Sequence, residues 1–338
     1  MATPARFNLP ALSLRAIQAV LLHFDIPDLI CLSYLSSSFY NIVKSVMYKN
    51  VWTHVSSCEK FGTNLKFLNS SGSDYGIWDF KMEKRKIGTL ARREKNAHLY
   101  SSVTSVARYV VELTGIPVSN VEIEIDYFSI ATIHSLKNLK IGRCNQLFIK
   151  SGILDDKGIP NRVLASLLKH NRATERIYIH AFTKKSFECP ISFFQSRRLD
   201  VRYPAPWLTK ELVFKLKCIS IRLKENTILS VEDCFDFVKR WVKSDLKELE
   251  KFEYLDVAFE AVIKKLDVLK CLQMEEPIQI REWDEKMRGS YYRLPDETLN
   301  CEKGYDIIHK KWRLVATVLV RDRRFFFGVW HIPFPGFP

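Results

Sequence analysis

The residue types that could do chemistry are scattered along this chain. Its 338 residues include eight histidines and eight cysteines, and no group of them has the spacing of a metal site. The sequence has no glycine-rich phosphate loop, no nucleophile elbow and no kinase signature. Asp155-Asp156 and Glu275-Glu276 are adjacent acidic pairs, a pattern more typical of solvated loops than of catalysis. We therefore assign no catalytic residue, no metal and no cofactor, and we expect the protein not to be an enzyme.

The cysteines favour a reducing compartment. They lie singly in the sequence, and several fall inside apolar runs, as reduced core thiols do. The first ten residues lack the layout of a secretory signal. No apolar stretch approaches the roughly 20 residues that a membrane span needs. We expect an intracellular protein, cytoplasmic, nuclear or both, that does not bind membranes.

The charge admits several partners. The formal net charge is +14, which suits nucleic acid, an acidic protein partner or a basic solvated surface. The local clusters at Lys81–Lys86 and Arg92–Lys95 are interrupted by glutamates and lack interleaved aromatic residues that could stack on bases. A solvated surface is the favoured interpretation. Nucleic-acid binding is the alternative, and it predicts an affinity that falls steeply with salt.

Residues 12–48 predict three short helices. The apolar residues of the first helix fall at i, i+3, i+4 and i+7, which places them on one stripe. Ser13 can cap this helix, and Pro27 suits the first turn of the second. The apolar residues are, in order, Ile17, Val20, Leu21 and Phe24, then Leu29, Leu32 and Leu35, then Phe39, Ile42, Val43 and Val46. So small a unit cannot bury all of them, and we expect a partner to cover some.

From Asn120 onwards the pattern predicts strands that alternate with helices. Residues 121–126 alternate apolar and acidic side chains, the signature of a half-buried strand. Further strands are predicted at Leu147–Ile149, Ile177–Ile179, Leu199–Val201, Ile219–Leu223 and Leu255–Phe259, and helices at Val163–Lys169, Leu208–Leu216 and Val231–Val242. This recurrence, at roughly 20 to 35 residues, is typical of helix–strand repeats that stack into a solenoid. Three final runs, at Tyr305–Ile308, Leu314–Val320 and Phe325–Trp330, predict an antiparallel meander.

Alternation also predicts a polar face on three of these strands. In a strand, residues that alternate with inward-pointing residues point outward. The residues taken to point inward are Ile177, Ile179, Leu199, Val201, Ile219, Ile221 and Leu223. The residues predicted to point outward are Arg176, Tyr178, His180, Arg198, Asp200, Arg202, Arg222 and Lys224. If the strands are neighbours, the cationic and aromatic members form a basic face that binds an acidic segment of a target protein. A solvated sheet surface, or one covered by another part of the chain, is the alternative.

The first fifty residues resemble the F-box, in the version found in the large nematode F-box family. Leu12-Ser13 stands where that family usually has Leu-Pro. The resemblance is carried by Phe7, Leu9 and Leu12, then Ala16–Gln18, Val20-Leu21, Phe24-Asp25, Asp28–Ile30, Leu32–Ser36 and Phe39. The C-terminal half resembles the F-box-associated domain of the same family, at Thr174–His180, Ala205–Thr209, Phe237–Trp241, Gly304–Ile308, Ala316-Thr317 and Phe326–Trp330.

The residue patterns, with the names that the resemblance supplies, predict an α+β fold class in three parts. A three-helix F-box spans residues 1–50, and a partly helical connector spans 51–115. An irregular, leucine-rich-repeat-like α/β domain spans 116–338 and ends in a short antiparallel meander.

The implied function is that of a substrate receptor in a Skp–cullin–F-box ubiquitin ligase. The F-box would bind a Skp-type adaptor, and through it a cullin, while the C-terminal domain binds a target protein. Catalysis would belong to the ubiquitin-conjugating enzyme. The residues implied to face the adaptor are Leu12, Ser13, Ile17, Val20, Leu21, Leu29, Leu32, Leu35 and Phe39. A scaffold that docks the adaptor without delivering a target is the alternative.

Overall fold

The chain is mixed α/β, with three N-terminal helices followed by a large, mainly β portion. The computed structural model describes residues 12–24, 26–46, 51–58, 62–69, 74–80, 103–125, 139–151, 159–183, 187–188, 190–226, 228–245, 247–263, 267–273, 279–285, 288–309 and 311–331. It divides into an N-terminal unit, Met1–Ile153 with Lys169–Arg172, and a C-terminal unit, Leu154–Leu168 with Ala173–Pro338. None of the helices within the described ranges has the length and apolar character to cross a membrane.

The N-terminal helices lie where the sequence predicts them. They are α1 (Leu14–Leu21), α2 (Ile26–Ser33) and α3 (Ser37–Lys44). Ser13 caps α1 as predicted, because its hydroxyl accepts the Ala16 N–H at 3.3 Å. Gln18 Nε2 donates to Ser45 Oγ at 2.9 Å and ties α1 to the end of α3. The buried apolar residues of this segment are Ile17, Leu21, Leu29, Ile30, Val43 and Val46.

The connector predicted for residues 51–115 is wrong, because this region supplies strands to the N-terminal unit. Its elements are β1 (Val51–Cys58), β2 (Gly62–Asn69), β3 (Asp74–Phe80) and α4 (103–114), followed by β4 (Val118–Ile125) and β5 (Gly142–Ser151). The strand order is β5-β4-β1-β2-β3. Val55 of β1 lies opposite Val121 of β4 in a parallel pair. This distant pairing of β1 with β4 leaves no local signal and is decided by tertiary context, whereas β1 also pairs with the neighbouring strand β2. The first fifty residues are thus part of a larger compact unit.

The C-terminal unit begins with strands and helices in alternation, as predicted. Its elements are α5 (Asn161–His170), β6 (Asn171–His180), a short 3₁₀ turn (Ile191–Phe193), β7 (Arg198–Val201), α6 (Lys210–Lys215), β8 (Ser220–Asn226), α7 (Val231–Lys243), α8 (Lys247–Glu250) and β9 (Tyr254–Phe259). The strands β6-β7-β8-β9 are parallel neighbours. Capping by Ser230 and Asp233 fixes the start of α7. Its aromatic side chains pack on the sheet, with Trp241 and Phe327 ring centroids 5.3 Å apart.

The sheet of this unit continues in antiparallel strands. The remaining elements are α9 (Val268–Cys271), β10 (Ile280–Glu282), β11 (Tyr291–Arg293), β12 (Thr298–Asn300), β13 (Tyr305–Ile308), β14 (Val315–Arg321) and β15 (Arg324–Trp330). From β9 the order is β9-β15-β14-β13-β10, so the predicted meander is confirmed as β13–β15. Strands β11 and β12 form a separate hairpin. A leucine-rich-repeat-like or F-box-associated assignment of this unit stays a prediction.

The β11–β12 hairpin covers part of the sheet face opposite α7. Leu294 and Cys301 beside the hairpin strands are buried in one cluster with Tyr254, Leu319 and Phe326 of the sheet. The neighbouring Arg288 is fully buried and donates through Nε to both carboxylate oxygens of Asp306, at 2.8 and 2.9 Å. Apolar burial and a buried ion pair therefore hold the hairpin segment on the sheet.

Candidate functional sites

Three residues predicted to face an adaptor are instead core residues of the N-terminal unit. Ile17, Leu21 and Leu29 are all at least 96% buried, with exposures of 4%, 0% and 1%. Three eight-residue helices need their best apolar stripe to hold together. The prediction that these three side chains contact a partner is therefore wrong for this conformation, and their role is to support the surface around them.

The other predicted adaptor-facing residues remain at or near the surface. Leu12, Val20, Leu32 and Phe39 are half-buried, and Ser13 is exposed as the cap of α1. Leu35, just beyond the end of α2, is 70% exposed. It is the most exposed large apolar side chain of the described residues.

The structure adds four exposed apolar residues that the stripe analysis did not select as contacts. They are Leu14, Leu22, Phe24 and Tyr34, so that five of the nine exposed large apolar side chains in the described residues lie between Leu14 and Leu35. Leu14 and Leu22 bracket the buried stripe of α1. A signal existed, because a short helix that is apolar beyond one stripe cannot bury its flanks. We call these four residues and Leu35 the apolar helix surface.

Helix α4 fixes the ends of α2 and α3 and so positions Tyr34 and Leu35. The rings of Tyr34 and Tyr109 are stacked with centroids 4.6 Å apart. Ser33 Oγ and the Tyr109 hydroxyl are hydrogen-bonded at 2.8 Å. Tyr40 of α3 donates its hydroxyl proton to Glu112 at 3.5 Å. The turn that exposes Leu35 is thus held by specific contacts rather than by α2 alone.

A second candidate site lies on the C-terminal unit, where β6, β7 and β8 bring the predicted polar residues together. Arg176 lies opposite Arg198, and Tyr178 lies opposite Asp200. Asp200 in turn lies opposite Arg222. Arg202 and Lys224 follow directly after the ends of these pairings. We call this surface the polar sheet face.

Arg222 is not available as a contact residue. It is 3% exposed, and its Nε donates to Asp256 Oδ2 at 2.8 Å. Its two terminal nitrogens donate to Asp296 and Glu297. The prediction that Arg222 binds a target is therefore wrong, because this guanidinium is already saturated by carboxylates of its own chain.

The polar sheet face is mixed in charge rather than basic. Arg176 is paired with Asp200, Arg198 with Glu253 and Arg324 with Asp256. In total the cationic side chains of these ion pairs are Arg176, Arg197, Arg198, Arg202, Arg222, Lys224 and Arg324, and the carboxylates are Glu175, Asp200, Glu253, Asp256, Asp296 and Glu297. The two sets nearly balance. Carboxylates therefore interrupt the row of cations at this face, while the Lys81–Lys95 clusters lie outside the described residues.

Sequence reasoning missed the carboxylates for two reasons. Asp256 lies in the predicted strand Leu255–Phe259, and extending the alternation to that strand would have found it. Asp296 and Glu297 are 74 and 75 residues from Arg222 and lie on the turn between β11 and β12. No local pattern reveals that contact.

Arg202 and Lys224 are the most loosely held cations of this face. Within the described residues the carboxylate near both is that of Asp296, whose Oδ2 lies 4.0 Å from Arg202 Nη2 and 3.8 Å from Lys224 Nζ. Both distances exceed hydrogen-bond length. The Arg202 and Arg176 guanidinium carbons lie 5.4 and 5.5 Å from the centroid of the buried Tyr178 ring, within cation–π range. His180 stacks on Tyr203 at 4.7 Å beside this group.

These side chains surround a shallow depression. It is lined by Arg176, Tyr178, Asp200, Val201, Arg202, Arg222, Lys224 and Asp296, and its volume is ≈ 10 Å³. That is room for one water molecule, far below the several hundred Å³ of a small-molecule site. With Asp296 among its lining residues, the depression is therefore too small for a small-molecule ligand.

The pKa values of Asp200 and Asp296, the two acids of this depression, are shifted in opposite directions. Burial raises the pKa of Asp200, and Arg176 only partly offsets that effect. Burial also acts to raise the pKa of Asp296, but its bond with Arg222 and the charge of Lys224 outweigh burial and hold the pKa below its ordinary value. Asp296 is therefore ionised at neutral pH.

Comparison with known proteins leaves the two surfaces to be interpreted on their own. The chain matches no family model, no curated protein and no solved structure. Among the residues that the structure describes, no three His, Cys, Asp or Glu side chains are grouped so that they could hold a metal ion.

Proposed function

We propose that this chain is a substrate receptor of a Skp–cullin–F-box ubiquitin ligase. The observation that carries the proposal is the apolar helix surface, which concentrates exposed Leu14, Leu22, Phe24, Tyr34 and Leu35 within 22 residues of one another. Contiguous exposed apolar patches mark interaction sites, and five of the nine exposed large apolar side chains in the described residues fall in this one segment. The F-box resemblance of the same segment names the partner, a Skp-type adaptor.

The buried stripe supports this role indirectly. Ile17, Leu21 and Leu29 hold the helices together, and α4 fixes their ends through Tyr109. The apolar helix surface is thus presented by a folded support, which limits the ordering entropy that binding must overcome.

The C-terminal unit would then present the target. Its polar sheet face carries paired arginines and carboxylates around Tyr178, and such mixed surfaces give specificity through charge complementarity. In this scheme the chain positions a target protein and transfers no ubiquitin itself.

Co-expression with a Skp-type adaptor tests this function. The wild-type chain is expected to co-purify with the adaptor in a one-to-one complex. The Leu14→Asp/Leu35→Asp double variant should bind on the order of 100-fold more weakly or worse, because each apolar side chain buried at an interface contributes about 1.5–3 kcal/mol.

The matched control is Val262→Asp/Leu269→Asp, which changes two exposed apolar residues that lie outside the three N-terminal helices. It should bind the adaptor as the wild type does. Circular dichroism of each purified variant checks that both fold. A wild-type chain that purifies without adaptor, or equal binding by both double variants, would refute the assignment.

A further inference from the structure

The turn between β11 and β12 places two carboxylates of the chain on its own polar sheet face. The turn is closed by the Leu294 N–H, which donates to the Glu297 carbonyl at 2.9 Å. Leu294 is buried in the cluster below, so the turn has a fixed position. Asp296 and Glu297 therefore occupy the face on which the sequence predicts an acidic ligand.

The two carboxylates are held differently. Glu297 bonds Arg222 and also accepts from both terminal nitrogens of Arg324, at 3.1 and 3.0 Å. Asp296 has one close partner, Arg222, and lies beyond hydrogen-bond distance of Arg202 and Lys224. Its side chain is 42% exposed. The Asp296 side chain can therefore move away from the polar sheet face while the backbone of the turn keeps its position.

Moving the Asp296 carboxylate away would not leave the buried charge of Arg222 without a partner. Arg222 keeps Asp256 at 2.8 Å and keeps Glu297. Breaking a buried pair is costly when the remaining charge has no partner, and here two partners remain. Exchange of the Asp296 carboxylate for another carboxylate is therefore inexpensive.

We propose that Arg202 and Lys224 bind a carboxylate of an acidic segment in a partner protein, and that Asp296 is the intramolecular competitor that this carboxylate replaces. Both nitrogens lie within 4.0 Å of the same Asp296 oxygen, so one carboxylate can contact both. The Arg202 guanidinium carbon lies 5.4 Å from the centroid of the Tyr178 ring, and a guanidinium can bind a carboxylate through two parallel N–H···O bonds. The partner is a ubiquitination target only if the proposed function holds; the binding itself does not depend on it.

Fluorescence anisotropy with a labelled hexaglutamate peptide, at low salt and with the full chain, tests this inference. Asp296→Asn removes the competing charge and is expected to tighten binding about tenfold. The matched control is Asp245→Asn, which removes one charge from an exposed carboxylate bonded to Lys311. It should leave the affinity within about twofold of the wild type.

A triple variant, Asp296→Asn with Arg202→Gln and Lys224→Gln, locates the site. It is expected to lose the gain, because the two cations that receive the peptide are gone. A gain that survives in this variant, or one that Asp245→Asn reproduces, overturns the proposed site. Tighter binding of single-stranded DNA of equal charge than of hexaglutamate overturns the proposed class of partner.

Two further measurements distinguish a change in peptide affinity from a loss of folding and from a failure of the proposed function. Equal thermal unfolding of wild type and Asp296→Asn is expected, and it shows that a change in affinity does not come from loss of structure. Adaptor co-purification of the same variants should be unchanged. If Asp296→Asn fails to tighten peptide binding while adaptor binding is intact, only the acidic-partner site is overturned. If Asp296→Asn tightens peptide binding but the wild-type chain does not bind the adaptor, only the adaptor assignment is overturned.

Discussion

The apolar helix surface and the polar sheet face differ in how much of their binding capacity the chain already uses. On the helices, Leu14, Leu22 and Leu35 are exposed and the chain covers them only in part. On the sheet face, Arg222 and Arg324 are already engaged by carboxylates of the same chain. Within the described residues the first surface stays largely exposed, with Tyr109 stacked on Tyr34, whereas the arginines of the second are paired with carboxylates of the same chain.

The difference follows from the chemistry of the two surfaces. Apolar side chains on short helices have no way to satisfy one another once the internal stripe is complete. Charged side chains on neighbouring strands can be neutralised by any nearby acid, and an unpaired buried arginine would be costly. A partner of the sheet face must therefore compete with internal carboxylates, and a partner of the helices need not.

Breaking the buried pair under the hairpin should have the largest effect. Asp306→Ala leaves the fully buried Arg288 without its carboxylate and also removes the acceptor of Thr317 Oγ1 at 2.7 Å. We expect a loss of about 3–5 kcal/mol in the free energy of unfolding, measured by urea denaturation. Asp245→Ala, at an exposed ion pair, should change it by less than about 0.5 kcal/mol. Equal losses would mean that the hairpin is not held through Arg288.

Truncating the helix core should come next. Leu21→Ala removes a fully buried side chain and is expected to cost about 2–5 kcal/mol in the free energy of unfolding. Leu14→Ala, on the same helix but 53% exposed, should cost less than about 1 kcal/mol. The difference between the two costs measures how far α1 divides into a buried face that stabilises the fold and an exposed face that is available for binding. A large cost at Leu14 would place this residue in the core and shrink the apolar helix surface.

The smallest effect is expected at a charged cluster of the N-terminal unit. A hydrogen bond from His54, opposed by burial and reinforced by Lys150, lowers the pKa of Glu122 from 4.5 to about 2. A lowered folded-state pKa stabilises the protein above about pH 4.5, and this stability is lost as the pH falls toward about 2.

Glu122→Gln should therefore cost about 1 kcal/mol at pH 7, after solvent screening. Its difference from wild type should shrink as the pH falls below 4.5, which urea denaturation at several pH values would show. Glu124→Gln, two residues along β4 and exposed, is the reference. If the stability difference between Glu122→Gln and wild type grew as the pH fell below 4.5, the lowered pKa of Glu122 would be contradicted.

The sequence predicts those features whose signal is local. The caps and stripes of α1–α3 and the alternation through Ile177, Leu199 and Ile221 place helices and strands correctly. It does not reveal that β1 pairs in parallel with β4, more than 60 residues away, although β1 also pairs with the neighbouring β2. Nor could it predict that Asp296 lies against Arg222. Both are long-range contacts, and they decide which strands form and which charges are available.

The same limit explains the errors in the candidate sites. Periodicity identifies Ile17 and Leu21 as one apolar stripe, but it does not say whether the stripe faces a partner or the protein interior. Alternation identifies Arg222 as pointing away from α7, but it does not say that a hairpin covers that face. In both cases the sequence identifies the correct helix or strand, but the residues that it predicts to be exposed are buried and others on the same surface are exposed.

Hydrogen exchange of the full chain, with and without a Skp-type adaptor, tests the central claim most directly. The adaptor is expected to slow exchange in residues 12–46 and to leave the polar sheet face, at residues 173–226, unchanged. Protection confined to the helices would show that the surface lacking a partner is the one that takes the adaptor. Absence of protection in residues 12–46, or protection of the sheet face in their place, would contradict this function.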